Sequence, residues 1–170
     1  MTDSPSNESF NTADVYDERG EELDSVSLQF QSLGAYTHFS GPARTIRCLE
    51  DNALVKSLLA TPGNGAVLVV DGGGSLRTAL MGDKIAASAV ANGWAGVVIN
   101  GAIRDREVLA DLPLGIKALG SNPRKSAKAG AGETDVELDI DGVRILPGVM
   151  LWCDPDGILV ERAPEPPKGD

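Results

Sequence analysis

Three kinds of hydrophobic pattern follow one another along this chain. Ala43-Arg44-Thr45-Ile46-Arg47-Cys48-Leu49 alternates apolar with polar residues, which predicts a half-buried strand after the Gly41-Pro42 break. Asp51 or Asn52 then caps a helix through Ala60, with Leu54, Val55, Leu58 and Leu59 on one face, and Thr61-Pro62-Gly63-Asn64-Gly65 ends it. Ala66 to Val70 is apolar without interruption, as a central strand covered on both faces must be. A second helix is expected from about Lys84 to Asn92, stopped by Gly93. The apolar run Gly96 to Asn100 follows, then a short helix to about Leu109 and another inner strand over Leu114 to Leu119.

The last third changes character. Ser121 to Thr134 is rich in Lys, Gly, Pro and Ser, a long loop of the kind kept for function or subunit contact. Val136–Ile140 and Val143–Leu146 flank Asp141-Gly142, the strongest hairpin signal in the chain. Met150–Trp152 and Ile158–Val160 form a further pair about Asp154-Pro155-Asp156-Gly157. Residues 1–24, mostly Ser, Asn, Asp and Glu, read as a mobile acidic tail, with order beginning near Leu28-Gln29-Phe30. Residues 25–162 then form one domain, and 163–170 an extended Pro-rich tail. The expected class is α/β, with a β-rich layer of C-terminal hairpins packed on a βαβ core.

Composition narrows the function. A formal net charge of −10 argues against a nucleic-acid surface, which needs clustered Lys and Arg. No apolar run approaches the ~18 residues of a membrane span, and the acidic N-terminus is unlike a signal peptide. Cys48 and Cys153 give no disulfide framework and no zinc spacing, and read as core thiols of a cytoplasmic protein. His38, the single histidine, sits in a polar segment and reads as a surface or pairing residue, so a His-rich metal site within one chain is excluded.

The candidate chemistry lies between Gly82 and Asp105. Twenty residues separate Asp83 from Arg104. A helix over Lys84–Asn92 travels roughly 14 Å at ~1.5 Å per residue, and the following strand returns about as far at ~3.3 Å per residue. Asp83 and Arg104-Asp105 should therefore meet at one end of a βα unit, where ligands of open α/β sheets bind. Two carboxylates and a guanidinium there suit a divalent cation and an anionic substrate. Singly, Asp83 is an ordinary first-turn helix acid and Arg104-Asp105 an ordinary surface ion pair. Their convergence, with Asp71-Gly72-Gly73-Gly74 and Gly101 expected on the same rim, is what favours a site. That glycine run lacks the G-x-G-x-x-G spacing of a dinucleotide loop, which leaves a methyltransferase reading weak. A Schiff-base enzyme would use Lys84 or Lys117.

VLVVDGGGSLRTALMGD, GWAGVVINGAIRD and GIKALGSNPRKSAKAGAGE resemble the RraA-like family, with the similarity running from about Ser27 to Val160. That family contains class II 4-hydroxy-4-methyl-2-oxoglutarate aldolases and regulators of ribonuclease E activity. Aldolase members carry Asp, twenty residues, then Arg-Asp, matched here by Asp83 and Arg104-Asp105. Ribonuclease regulators can lack the Arg-Asp pair. The resemblance implies a three-layer β/β/α sandwich assembling as a homotrimer, with a dimer of trimers as a further assembly and the site at a subunit interface. It implies that Asp105 binds the metal, Arg104 the 2-keto acid (pyruvate or oxaloacetate), and Gly82, Asp83, Lys84 and Ile85 the substrate. Longer aldolases carry a C-terminal extension that adds site contacts, which this chain lacks. An oxygen-ligated cation such as Mg or Mn would stabilise a pyruvate enolate, giving retro-aldol cleavage with oxaloacetate decarboxylation as a second reaction. The contrasting expectation is a non-catalytic protein that binds and regulates ribonuclease E, resting on the same resemblance and the acidic surface.

Overall fold

The computed structural model describes residues 10–165. Along the chain run α1 (Thr12–Arg19), a 3-10 turn (Gly20–Glu22), β1 (Leu23–Val26), β2 (Gln31–Ser32), β3 (Phe39–Arg47), α2 (Ala53–Leu59), β4 (Val67–Asp71) and β5 (Ala79–Met81). Then follow α3 (Asp83–Ala91), β6 (Gly96–Ile103), α4 (Arg106–Leu109), β7 (Gly115–Ser121), β8 (Glu133–Thr134), β9 (Leu138–Ile140), β10 (Val143–Ile145), β11 (Met150–Asp154) and β12 (Gly157–Glu161). The main sheet has the order β1-β12-β11-β3-β4-β6-β7-β2, with β5 on β6 and β8 on β3, while β9 and β10 pair apart.

Burial follows from the period of two in a strand. In β4, Leu68 and Val70 face one apolar cluster with Val55 and Leu59 of α2 and Ala86 and Ala89 of α3. Val67 and Val69 face the opposite cluster with Leu138, Ile140 and Ile145 of the hairpin and Leu151 and Val160 of the last two strands. The core strands β3, β4, β6 and β7 are parallel, and α2, α3 and α4 lie in the connections between them. This is the expected β/β/α layering. Asp141 (φ 53°) and Gly142 (φ 81°) make the hairpin turn, the left-handed pair that suits a two-residue loop.

Three expectations are corrected. Residues 12–24 are not a loose tail. The Asn11 side chain caps α1 by accepting the Asp14 N–H at 2.8 Å. Buried Asp154 accepts from the Thr12 N–H at 2.6 Å and hydroxyl at 2.7 Å, and Arg19 stacks on Trp152 at 5.2 Å. β1 then pairs with β12. α1 is attached largely by polar contacts rather than an apolar stripe, so its composition resembles that of a solvated segment. The acidic tail expected over residues 1–9 and the Pro-rich tail expected over 166–170 lie outside the described residues. Second, β6 runs on past Asn100 to Ile103, because Asn100 and Gly101 are buried there, with Asn100 Nδ2 donating to Asp71 Oδ1 at 3.1 Å. Third, β5 was not expected. Its three residues Ala79-Leu80-Met81 are too short to show a period.

Candidate functional site

β5 is the element that places the site. It lies parallel to the far half of β6, with Ala79 opposite Ala102 and Met81 opposite Ile103. The Arg104 N–H closes the ladder on Met81 O at 2.9 Å. The chain leaves β5 through Gly82 into the first turn of α3, and leaves β6 through Arg104 into Asp105. The two exits are therefore side by side, and the Asp83 N–H donates to Asp105 Oδ2 at 2.9 Å. The juxtaposition read from sequence is present, although β6 is longer than that reading allowed. β5 makes up the difference by carrying the helix start forward.

Gly82 and Asp105 are each fitted to this contact. A Cβ on Gly82 would stand 2.7 Å from Asp105 Oδ2 and 3.2 Å from Arg104 Cγ, so any side chain there would push the Asp105 carboxylate away. Asp105 sits in the left-handed region (φ 64°, ψ 42°) as the N-cap of α4, an uncommon conformation for a residue with a side chain. Its other carboxylate oxygen takes no hydrogen bond among the described residues. Lys84 and Ile85 follow in the first turn of α3, where α-helical geometry gives backbone N–H groups no internal partner. These amides suit an anion.

Gly82, Asp83, Lys84, Ile85 and Arg104 line a cavity of about 220 Å³ with Asn52, Lys56, Ala79, Lys125, Ser126 and Lys128. Asp105 lines an adjoining hollow of about 510 Å³ with Arg106, Glu107, Val108, Ser121, Asn122 and Pro123, and Arg104 borders both. All the sequence-predicted site residues thus fall on these two connected faces. Their exposure differs: Arg104 and Asp105 are open to solvent, Asp83 half-buried. The three lysines Lys56, Lys125 and Lys128 were missed as site residues. The Lys-rich composition of 121–134 hinted at Lys125 and Lys128, and no feature of the sequence pointed to Lys56.

The triple glycine does not reach the site. Its amides are engaged within the loop's own surroundings, Gly72 and Gly74 N–H to Asn100 O at 3.0 and 3.1 Å and Gly73 N–H to Asp71 Oδ1 at 2.9 Å. A Cβ at Gly72 would meet Leu80 at 2.7 Å. Gly72 serves close packing and Gly73 (φ 66°) and Gly74 (φ 74°) a left-handed turn, and the loop's engaged amides offer no cradle for a nucleotide. Lys117 is equally removed. It is 1% exposed, and its Nζ donates to Asp154 O at 2.6 Å. Burial lowers its pKa. Cys48 and Cys153 are buried and free, and His38 packs edge-on to Phe10.

Among the described residues no three His, Cys, Asp or Glu converge as a metal cage. The donor set fits a different kind of site. A hard cation such as Mg keeps most of its waters and needs only one or two carboxylates, and the free oxygen of Asp105 supplies one.

The comparisons agree with this architecture. The RraA-like family (Aldolase/RraA) matches residues 12–160, beginning at α1 rather than at Ser27. The chain belongs to that family, which includes both ribonuclease E inhibitors and aldolases. Among solved structures, an RNA-processing inhibitor RraA from Thermus thermophilus is 49% identical with a TM-score of 0.87, covering 95% of this chain and 97% of that one. A Geobacillus kaustophilus protein named as an S-adenosylmethionine:2-dimethylmenaquinone methyltransferase is 44% identical with a TM-score of 0.89, covering 95% and 100%. Streptomyces coelicolor RraAS2, described as an unusual member of the RNase ES inhibitor RraA family, is 30% identical with a TM-score of 0.71, covering 92% and 82%. Among the described residues, no helix is long and apolar enough to cross a membrane.

Proposed function

We propose that this protein is a divalent-metal-dependent lyase that cleaves 4-hydroxy-4-methyl-2-oxoglutarate to pyruvate and decarboxylates oxaloacetate. The observation that carries the reading is the bond from the Asp83 N–H to Asp105 beside Arg104, where a cationic cavity of small-substrate size adjoins the hollow that Asp105 lines. Asp105 is the residue to hold Mg or Mn with waters. When bound, the cation supplies Lewis acidity at the 2-keto oxygen. The Arg104 guanidinium pairs with the substrate's carboxylate, for which its paired donors are suited. The first-turn amides of Lys84 and Ile85 hold the oxygen on which enolate charge develops. Asp83 takes the proton of the 4-hydroxyl as the C3–C4 bond breaks. The bond's electron pair becomes the pyruvate enolate, a second pyruvate leaves, and a proton returned to C3 completes the product. With oxaloacetate, carbon dioxide leaves in place of the second pyruvate.

Arg104 and Asp105 are exposed in a single chain, which is consistent with the homotrimer and interface site that the resemblance implies. Light scattering tests that assembly. The activity is tested with both substrates, with and without EDTA, in the parent protein and in Asp105→Ala. Loss of turnover in both cases is expected, whereas full EDTA-insensitive activity in the variant refutes the assignment. Borohydride with pyruvate addresses a Schiff base on Lys84, and a covalent adduct would favour that route. A second reading, binding and regulation of ribonuclease E, is favoured by the 49% identical Thermus relative named as an RNA-processing inhibitor. A pull-down with ribonuclease E on the preparation used for turnover separates the two.

A further inference from the structure

In a chain of net charge −10, the 220 Å³ cavity gathers five cationic side chains against the single carboxylate of Asp83. Arg104 already suffices for one carboxylate, and the amides of α3 serve the enolate oxygen. Lys56 comes from α2 and Lys84 from α3. The remaining two, Lys125 and Lys128, come from a segment with no helix or long strand to fix it.

That segment is fastened at both ends. On the β5 side, the Ala79 N–H donates to Arg124 O at 2.8 Å, and the buried Ser126 hydroxyl donates to Ala79 O at 2.7 Å. On the α2 side, the Ala127 N–H donates to Glu50 O at 2.9 Å, and the Ala127 carbonyl accepts from the Asn52 N–H at 3.0 Å. Beyond it stands Asp51, 3% exposed. One of its carboxylate oxygens accepts from Ala53 at 3.1 Å and Gly130 at 3.2 Å. The other accepts from Ala129 at 2.9 Å and Ala131 at 3.3 Å. Four backbone donors are thus met by one side chain, three of them from the loop. Only a carboxylate has acceptor sites on both oxygens. An asparagine of the same shape would turn an NH₂ toward two N–H groups.

The structure assigns Asp51 as the positioning residue that holds the Lys125–Lys128 segment across the cavity, so that the site selects substrates carrying a second anionic group. This rests on the lyase reading for what the cavity binds. Asp51 does not touch the reacting atoms. Its effect on turnover passes through the lysines, so it should fall on binding of the second charge and leave bond breaking alone.

The test is Asp51→Asn in the full-length protein with Mg. Two reactions are compared: oxaloacetate decarboxylation, whose substrate has two carboxylates, and exchange of pyruvate methyl protons in D₂O, whose substrate has one. The expected result is a rise in KM for oxaloacetate of about tenfold, the scale of one lost charge-assisted contact. Its kcat should stay within twofold and pyruvate exchange should be unchanged. Lys128→Gln should likewise raise KM for oxaloacetate. An unchanged KM, or an equal fall in both reactions, overturns the assignment. In the parent protein, the amides of residues 129–131 should exchange with solvent as slowly as those of the β3–β4 ladder. Free exchange there overturns the latch even if Asp51→Asn does not fold. A parent protein inactive in both reactions while those amides stay protected refutes the lyase reading, and the selectivity assigned here with it. The protected loop would then remain as a structural tie.

Discussion

Replacing Gly82 by alanine tests the site's geometry with a single carbon. The backbone at Gly82 is extended (φ −129°, ψ −161°), so alanine adds no conformational strain. What it adds is a Cβ 2.7 Å from Asp105 Oδ2 and 3.3 Å from Arg104 Nε. A carbon–oxygen contact relaxes at roughly 3.3 Å, so the carboxylate must retreat by about 0.6 Å. The 2.9 Å bond from the Asp83 N–H lengthens with it. Displacements approaching ~1 Å cost up to ~10²-fold in rate, so kcat/KM for oxaloacetate should fall about ten- to a hundredfold. The weakened bond lies at the surface and is worth ~1 kcal/mol, or about 2–4 °C in Tm for a domain of this size. Decarboxylation rates and a thermal melt on one preparation measure both. A variant with kcat/KM within twofold of the parent would refute the argument, since the site would then tolerate the displacement.

Three further outcomes follow from groups outside that contact. Lys117→Met should retain oxaloacetate turnover within twofold and lose no more than about 1–3 kcal/mol in a urea melt, because the lysine serves only the Asp154 carbonyl. Loss of activity would return Lys117 to the chemistry. Burial, with Asp51 and Asp71 adding to it, pushes the Cys48 thiol up to about 12. An unfolded thiol ionises near ~8.5, so this contribution is whole below that pH and is lost as pH rises toward 12. Urea midpoints should therefore fall between pH 8 and pH 10.5, and a flat profile would contradict the burial. Asp51 is held below the usual carboxylate range, chiefly by the Ala53 N–H and then by the loop amides. The stability it lends is present above ~pH 4 and lost as pH falls through its lowered value, so Asp51→Asn should flatten the acid limb of the urea-midpoint profile.

Much of the frame was legible because burial writes periods into the chain. Val67–Val70 reads as covered on both faces and is; Asp141-Gly142 reads as a hairpin turn and is. The meeting of Asp83 with Asp105 was legible too, though by a distance argument that underestimated β6. β5 hid because three residues carry no period, and α1 because it is anchored largely through Thr12, Asp154 and Arg19. The lysines on the cavity hid for a related reason. Lys56, Lys125 and Lys128 lie on two separate stretches joined only by the bonds of Asp51 and its neighbours, and sequence spacing carries no record of such bonds. The triple glycine lacks a dinucleotide-loop spacing and indeed serves packing and a turn, but it does not share the rim of the site on which it was expected.

What we propose where β5 and β6 end is a cation-assisted enolising site. Exchange of pyruvate methyl protons in D₂O, followed by NMR with Mg or Mn, measures it without requiring a known physiological substrate. The methyl signal should fade with the parent protein, and persist when EDTA is added or when Asp105→Asn replaces it. Exchange at the parent rate in that variant, or undiminished by the chelator, would contradict it.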